Sequence, residues 1–242
     1  MTTFVMIPGL VSDARVWRHL SRALCEYGVA YNADVTRDDS IEAMAARLLD
    51  KVEGPLIAAG HSMGGRVAME IAHQAPERVR GLILANTGHA PSSPAELPKR
   101  QAKIDLGHRD MARLAREWLP PMLAPARTGD AGLVADLTEM VLTAGPDVHE
   151  RQIRALIGRP DASAYLTALG MPILLLTGAQ DGWSPEAQHR EIAALAADAE
   201  VQVIAGAGHF LPVERPEALT AAVIDWLVRR SLIAGPATIA HA

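Results

Sequence analysis

The sequence predicts an α/β protein: a mostly parallel sheet of about six strands, helices on both faces, and a helical insertion. Three observations carry this expectation. Short apolar, β-branched runs alternate with segments of helical periodicity. Most of the runs are apolar at every position, as strands buried on both faces are. The alternation fails once, from about Gly88 to Tyr165, where only helical patterns occur. The chain has 242 residues, 49% hydrophobic and 21% charged, which is enough apolar material for such a core and unlike a disordered chain.

Each element follows from local signals. Thr3 to Ile7 is an apolar run stopped by Pro8-Gly9, a strand and a turn. Ser12 or Asp13 can cap a helix to about Glu26, with Val16, Leu20 and Leu24 on one face. Val29 to Val35 is a weaker strand. Asp38, Asp39 or Ser40 caps a helix over Ile41 to Lys51, whose Ile41, Met44, Ala45, Leu48 and Leu49 form a stripe. Leu56 to Ala59 is a strand, and helix resumes from Arg66 to about Gln74, before Pro76. Val79 to Ala85, Met171 to Thr177 and Val201 to Ala205 are further strands. Glu186 to Ala197 and Pro216 to Arg229 are helices, the last with Leu219, Val223, Trp226 and Leu227 on one face.

The insertion opens with His89-Ala-Pro-Ser-Ser-Pro94. Helical patterns follow at 96–106, 109–119, 130–143 and 147–157. The expected organisation is therefore a core of residues 1–87 and 166–242 and a helical domain of residues 88–165. Residues 233–242 read as a frayed tail.

Composition narrows the function. The formal net charge is -5 and aromatics are 4%, which leaves neither a basic footprint nor a stacking platform for nucleic acid. No window approaches the roughly 20 apolar residues of a membrane span, and the N-terminus lacks a secretory pattern. A soluble, cytoplasmic protein, monomer or homodimer, is expected. The single cysteine, Cys25, sits in a helical pattern and reads as a buried thiol. One cysteine permits neither an internal disulfide nor a cysteine-based zinc site, and no other metal or cofactor motif is present. Gly206-Ala-Gly208 leads into His209 and a proline, so it is not a dinucleotide turn.

The chemistry concentrates at three strand ends. Gly60-His61-Ser62-Met63-Gly64 matches G-x-S-x-G, and it lies between a strand and a helix. A serine there projects Oγ from the sheet's C-terminal edge, where the next helix's N-terminus favours negative charge. Its hydroxyl needs a base. Of nine histidines, His19, His73, His108, His149 and His189 lie among charged helical neighbours and read as solvated, and His61 reads as pointing away. His209 follows the last strand in a glycine-rich loop. Asp181 follows the preceding strand in Gly178-Ala-Gln-Asp181-Gly, as a turn former or as the carboxylate that orients the imidazole. The order Ser62, Asp181, His209 favours the second role.

These segments resemble the α/β-hydrolase fold. The likeness runs through Ile7-Pro8-Gly9-Leu10, Gly60 to Gly65, Gly178 to Asp181, and Gly208-His209-Phe-Leu-Pro-Val-Glu-Arg-Pro-Glu217. It implies a helical cap over residues 88–165 and a chain that opens at the family's third strand. It also implies an oxyanion hole formed by the N–H groups of Met63 and Leu10. Family members commonly carry His-Gly where Pro8-Gly9 stands here.

Pocket walls are expected from Trp183 and Phe210, which flank Asp181 and His209, and from Trp118 and Met122. The apolar residues around these last two, Met111, Leu114, Leu119 and Leu123, either line an acyl pocket or simply pack. Few charged residues stand at candidate pocket positions, so a largely uncharged small-molecule substrate is expected. His89 and Arg100 are exceptions suited to a carboxylate. The expected activity is cleavage of a carboxylic ester or related acyl compound through an acyl-enzyme. A carbon–carbon bond hydrolase or lyase on the same residues, or a hydrolase-fold receptor with little turnover, are the alternatives.

Overall fold

Six apolar runs become strands in the computed structural model, which describes residues 2–234. They are β1 (Thr3–Ile7), β2 (Val29–Asn32), β3 (Leu56–His61), β4 (Val79–Ala85), β5 (Ile173–Gly178) and β6 (Ala199–Ile204). Neighbours all pair in parallel, in the order β2-β1-β3-β4-β5-β6. Every residue of β3 and β5 is buried, whereas the edge strands β2 and β6 are largely half-exposed. The central strands are flanked by a strand on each side as well as covered by helices, so they alone need apolar residues at every position.

The helices are α1 (Arg18–Leu24), α2 (Ile41–Lys51) and α3 (Met63–Gln74), then α4 (Leu97–Arg109), α5 (Met111–Trp118), α6 (Ala131–Ile157) and the short α7 (Ser163–Leu166). After β5 come α8 (Glu186–Leu195), the short α9 (Leu211–Glu214) and α10 (Pro216–Arg229). Ser40 caps α2 by accepting the Ala43 N–H at 3.1 Å. That helix buries Ile41, Met44, Ala45 and Leu48, and α10 buries Leu219, Val223, Trp226 and Leu227. The sheet separates two apolar clusters, and β1 feeds both by alternation: Val5 and Ile7 on one face, Phe4 and Met6 on the other. No described helix is long and apolar enough to cross a membrane.

Residues 88–165 hold no strand among the described residues. The break expected between 143 and 147 is a kink inside α6, where Gly145 adopts φ 74 and Pro146 follows. Proline removes a helical donor, and glycine takes a left-handed φ without a Cβ penalty.

Several expectations need correction. The first helix starts at Arg18, not near Ser12, because residues 13–18 form successive i→i+3 turns and Trp17 Nε1 donates to the Ile7 carbonyl at 2.9 Å. β2 ends at Asn32, where Asp34 turns the chain by accepting the Thr36 N–H and hydroxyl. Cys25 is exposed, one residue beyond α1. His149 and His189 are buried. The proposed tail at 233–242 lies mostly outside the described residues.

The order places β1 between β2 and β3, so the chain leaves β1 and β3 toward opposite sides of the sheet. The crevice at the carboxyl ends of such strands is where ligands of open α/β sheets bind. Leu10 follows β1 there, and Ser62 follows β3.

Candidate active site

β3 ends at His61 and α3 begins at Met63, so Ser62 alone makes the turn. It does so with φ 55 and ψ −116, a conformation that costs on the order of 1–3 kcal/mol for a residue with a Cβ. Neighbours hold it there. Its N–H donates to the Ala85 carbonyl at 2.9 Å, and the Thr87 hydroxyl donates to its carbonyl at 2.7 Å. The motif's glycines are required by close approach. A Cβ on Gly60 would strike the Gly64 carbonyl, and one on Gly64 would strike the Ile7 carbonyl.

His209 and Asp181 arrive from the ends of β6 and β5. His209 Nε2 lies 2.8 Å from Ser62 Oγ, and its Nδ1 lies 3.0 Å from Asp181 Oδ2. An ionised carboxylate only accepts, so Nδ1 carries the proton and Nε2 is free to take one from Ser62. Asp181 is 5% exposed, and its burial alone would raise its carboxyl. Bonds from His209, the Ser184 N–H and the Asn86 amide outweigh burial and hold it well below the usual carboxylate range.

Three partners of this chain carried no local signal. Asn86, after β4 with φ 52, donates to Asp181 Oδ2 at 2.8 Å and to the Gly208 carbonyl at 3.2 Å. His61, far from pointing idly away, is buried and donates from Nε2 to the His209 carbonyl at 2.7 Å. Burial and the charge of His209 push it down to about 3, so it stays neutral. Glu214 accepts the N–H groups of Gly208 and Ala124, which ties the His209 loop to the insertion, and His209 N–H donates to the Met122 carbonyl at 2.7 Å.

Leu10 and Met63 stand beside Ser62 on the same cavity wall. Met63 opens α3, so its N–H has no acceptor within the helix. Neither it nor the Leu10 N–H has a protein acceptor among the described residues. The loop that carries Leu10 is held from the insertion. Gln152 of α6, fully buried, accepts the Val11 N–H at 2.7 Å and donates to the Val35 carbonyl at 3.0 Å. Val11 itself adopts φ 44.

The cavity above Ser62 has a volume of about 300 Å³. Trp118, Met122 and Trp183 line it, as does His209. Phe210 does not. It is buried beneath, against the His61 ring and the edge of Trp118, and so supports the site without facing it. His89 is also off the wall, buried among other groups. Arg100 is on it, joined by Arg66, Arg159 and Glu96. The expectation of few charged pocket residues therefore fails. The helical spacing of the insertion does not reveal which of its charges turn inward. A second, more apolar cavity of about 470 Å³ adjoins the first through Leu10, Trp118, Trp183, Arg100 and Glu96, and reaches Leu114 and Ile153.

Residues 4–223 match the family model described as the alpha/beta hydrolase family. The chain belongs to that family. Among curated relatives of this hydrolase-family chain, the polyketide synthase ThaQ of Burkholderia thailandensis is 30% identical over 92% of the chain. The lipase LipV of Mycobacterium tuberculosis is 30% identical over 59% of it. The chain spans only 12% of the first and 55% of the second. Among solved structures, a thermophilic esterase from Thermogutta terrifontis superposes with a TM-score of 0.85 at 27% identity, covering 95% of this chain and 90% of that one.

Proposed function

We propose that this hydrolase-family chain is a serine hydrolase acting on a carboxylic ester or related acyl compound. The observation that carries the proposal is the unbroken hydrogen-bond path from Ser62 Oγ through the His209 ring to Asp181. Kinship with a lipase and an esterase supports the same reading.

In this reading Ser62 Oγ attacks the carbonyl carbon while His209 Nε2 takes its proton. The charge that develops on the carbonyl oxygen is met by the N–H groups of Leu10 and Met63, which have no protein acceptor among the described residues. His209 then hands the proton to the departing alcohol oxygen, leaving an acyl ester on Ser62. A water deprotonated by His209 attacks that ester, and the acid leaves as Ser62 regains its proton. Asp181 keeps the ring in the Nδ1–H tautomer and stabilises the imidazolium. Residues 88–165 act as the cap, with Trp118 and Met122 shaping the acyl or alcohol pocket and Trp183 closing it from the Asp181 loop.

A panel of 4-nitrophenyl esters of graded acyl length tests this. The native chain should turn over at least one, and Ser62→Ala should lose several orders of magnitude in kcat, since nucleophile and base act together. An Ser62→Ala variant as active as the native chain would reject the proposal.

A further inference from the structure

From the cavity wall we infer that the substrate carries an anionic substituent, a carboxylate, which Arg66 binds. The inference rests on the serine-hydrolase reading above and gives that site a substrate class, in place of the largely uncharged one expected from sequence.

Arg66 lies in the first turn of α3, four residues beyond Ser62. Both residues line the cavity. Arg66 is half-buried, and only its Nη1 has a protein partner, the Ala90 carbonyl at 2.9 Å. Its Nε and Nη2 have none among the described residues, yet neither is a sealed-off orphan. These two atoms form the fork edge of the guanidinium that matches both oxygens of a carboxylate.

The nearby charges leave this edge uncompensated. Among the described residues lining the wall, Glu96 is the one carboxylate beside three guanidiniums. Both its oxygens are taken. Oε1 accepts the Ser93 N–H and Arg159 Nη2, and Oε2 accepts Arg100 Nε and Nη2 and Arg159 Nη1. The bond from Arg159 comes first among the causes that push Glu96 down to about 2, so it is ionised and fully engaged. Arg159 is further saturated by the carbonyls of Ala90, Pro91 and Leu156. Of these three guanidiniums, only that of Arg66 keeps its fork edge without a partner among the described residues. Burial, then Arg159 and Arg100, push its guanidinium below its usual range, the strain that a bound anion would relieve.

The carboxylate can sit on the acyl or the alcohol side of the scissile bond, and paired substrates separate the two. One pair is the 4-nitrophenyl monoester of adipic acid and its terminal-carboxamide isostere. The other is 4-acetoxybenzoate and 4-acetoxybenzamide. In at least one pair the native chain should favour the anion ten-fold or more in kcat/KM, mainly through KM, and salt should erode the preference. Arg66→Gln should lower that ratio ten-fold or more, while Arg66→Lys keeps part of it. Titration calorimetry with adipate and with benzoate gives a readout independent of turnover, and binding in the preferred arm should disappear in Arg66→Gln. No preference in either pair, or a ratio unmoved by Arg66→Gln, overturns the inference while leaving ester hydrolysis intact. Arg66-dependent binding without any Ser62-dependent turnover would instead sink the serine-hydrolase reading.

Discussion

The two walls of the cavity are built on different rules. On the sheet edge, Ser62, His209 and Asp181 are each fixed by partners, from the Ala85 carbonyl to the Asn86 amide. Around it, the helices of residues 88–165 contribute bulky side chains and guanidiniums, and Arg66 of α3 adds a guanidinium with a free edge. A fixed wall suits bond-making, where geometry must hold to a fraction of an ångström. A wall with unspent donors suits choosing among substrates. The division is not complete, since Gln152 and Glu214 stitch the two together.

The fixed wall should be the more costly to disturb. Asp181→Asn should lower kcat on the order of 10⁴-fold, because an amide in place of the carboxylate favours the wrong His209 tautomer. Wild-type kcat in that variant would mean that the sheet edge is not the reaction wall. Gln152→Leu tests the stitching. It frees the Val11 N–H and with it the Leu10 loop, so kcat should fall about ten-fold or more with a smaller change in KM. A merely structural role would lower the melting temperature and leave kcat alone.

The selective wall predicts smaller effects of another kind. Trp118→Ala or Met122→Ala should widen the pocket and shift the ranking of esters toward longer acyl groups by about ten-fold. An unchanged ranking with reduced stability would show that these residues only hold the helices together. A separate effect is one of pH on stability rather than on turnover. Burial holds His61 at about 3 and His149 at about 4, below the 6.5 of the unfolded state. Between about pH 6.5 and 4 the unfolded chain binds more protons, so stability should fall as pH drops, by up to about 1.4 kcal/mol per unit for each histidine. Asp181, held low, adds to the loss only below its unfolded value near 4. Urea unfolding at a series of pH values checks this, and a flat profile over that window would contradict the buried, neutral assignment.

The sheet edge was legible in the sequence because its signals are local. Glycines at 60 and 64 mark a strand-to-helix turn, and Asp181 and His209 each follow an apolar strand within a few residues. The selective wall was not legible. Arg159 meets Glu96 across 63 residues, and Gln152 meets Val11 across 141. No spacing rule reports contacts that depend on how separate helices pack. Arg66 is the instructive case: it sits beside the most recognisable motif in the chain, yet only the docking of the insertion shows that it faces the cavity. Phe210 errs the other way, since a place next to His209 in sequence puts it beneath the site. Within the core, helix ends fixed by side chains, such as Ser40, were found, whereas the start of α1 was missed because distant bonds to Ile7 and Gln152 hold residues 11–17 in turns.

The central claim is that Ser62 is the activated nucleophile. A fluorophosphonate, followed by peptide mapping, tests it without any assumption about the substrate. The account predicts a single adduct, on Ser62 Oγ, formed at a rate that collapses in His209→Ala. Labelling of a different serine, or labelling of Ser62 at the same rate without His209, would contradict it.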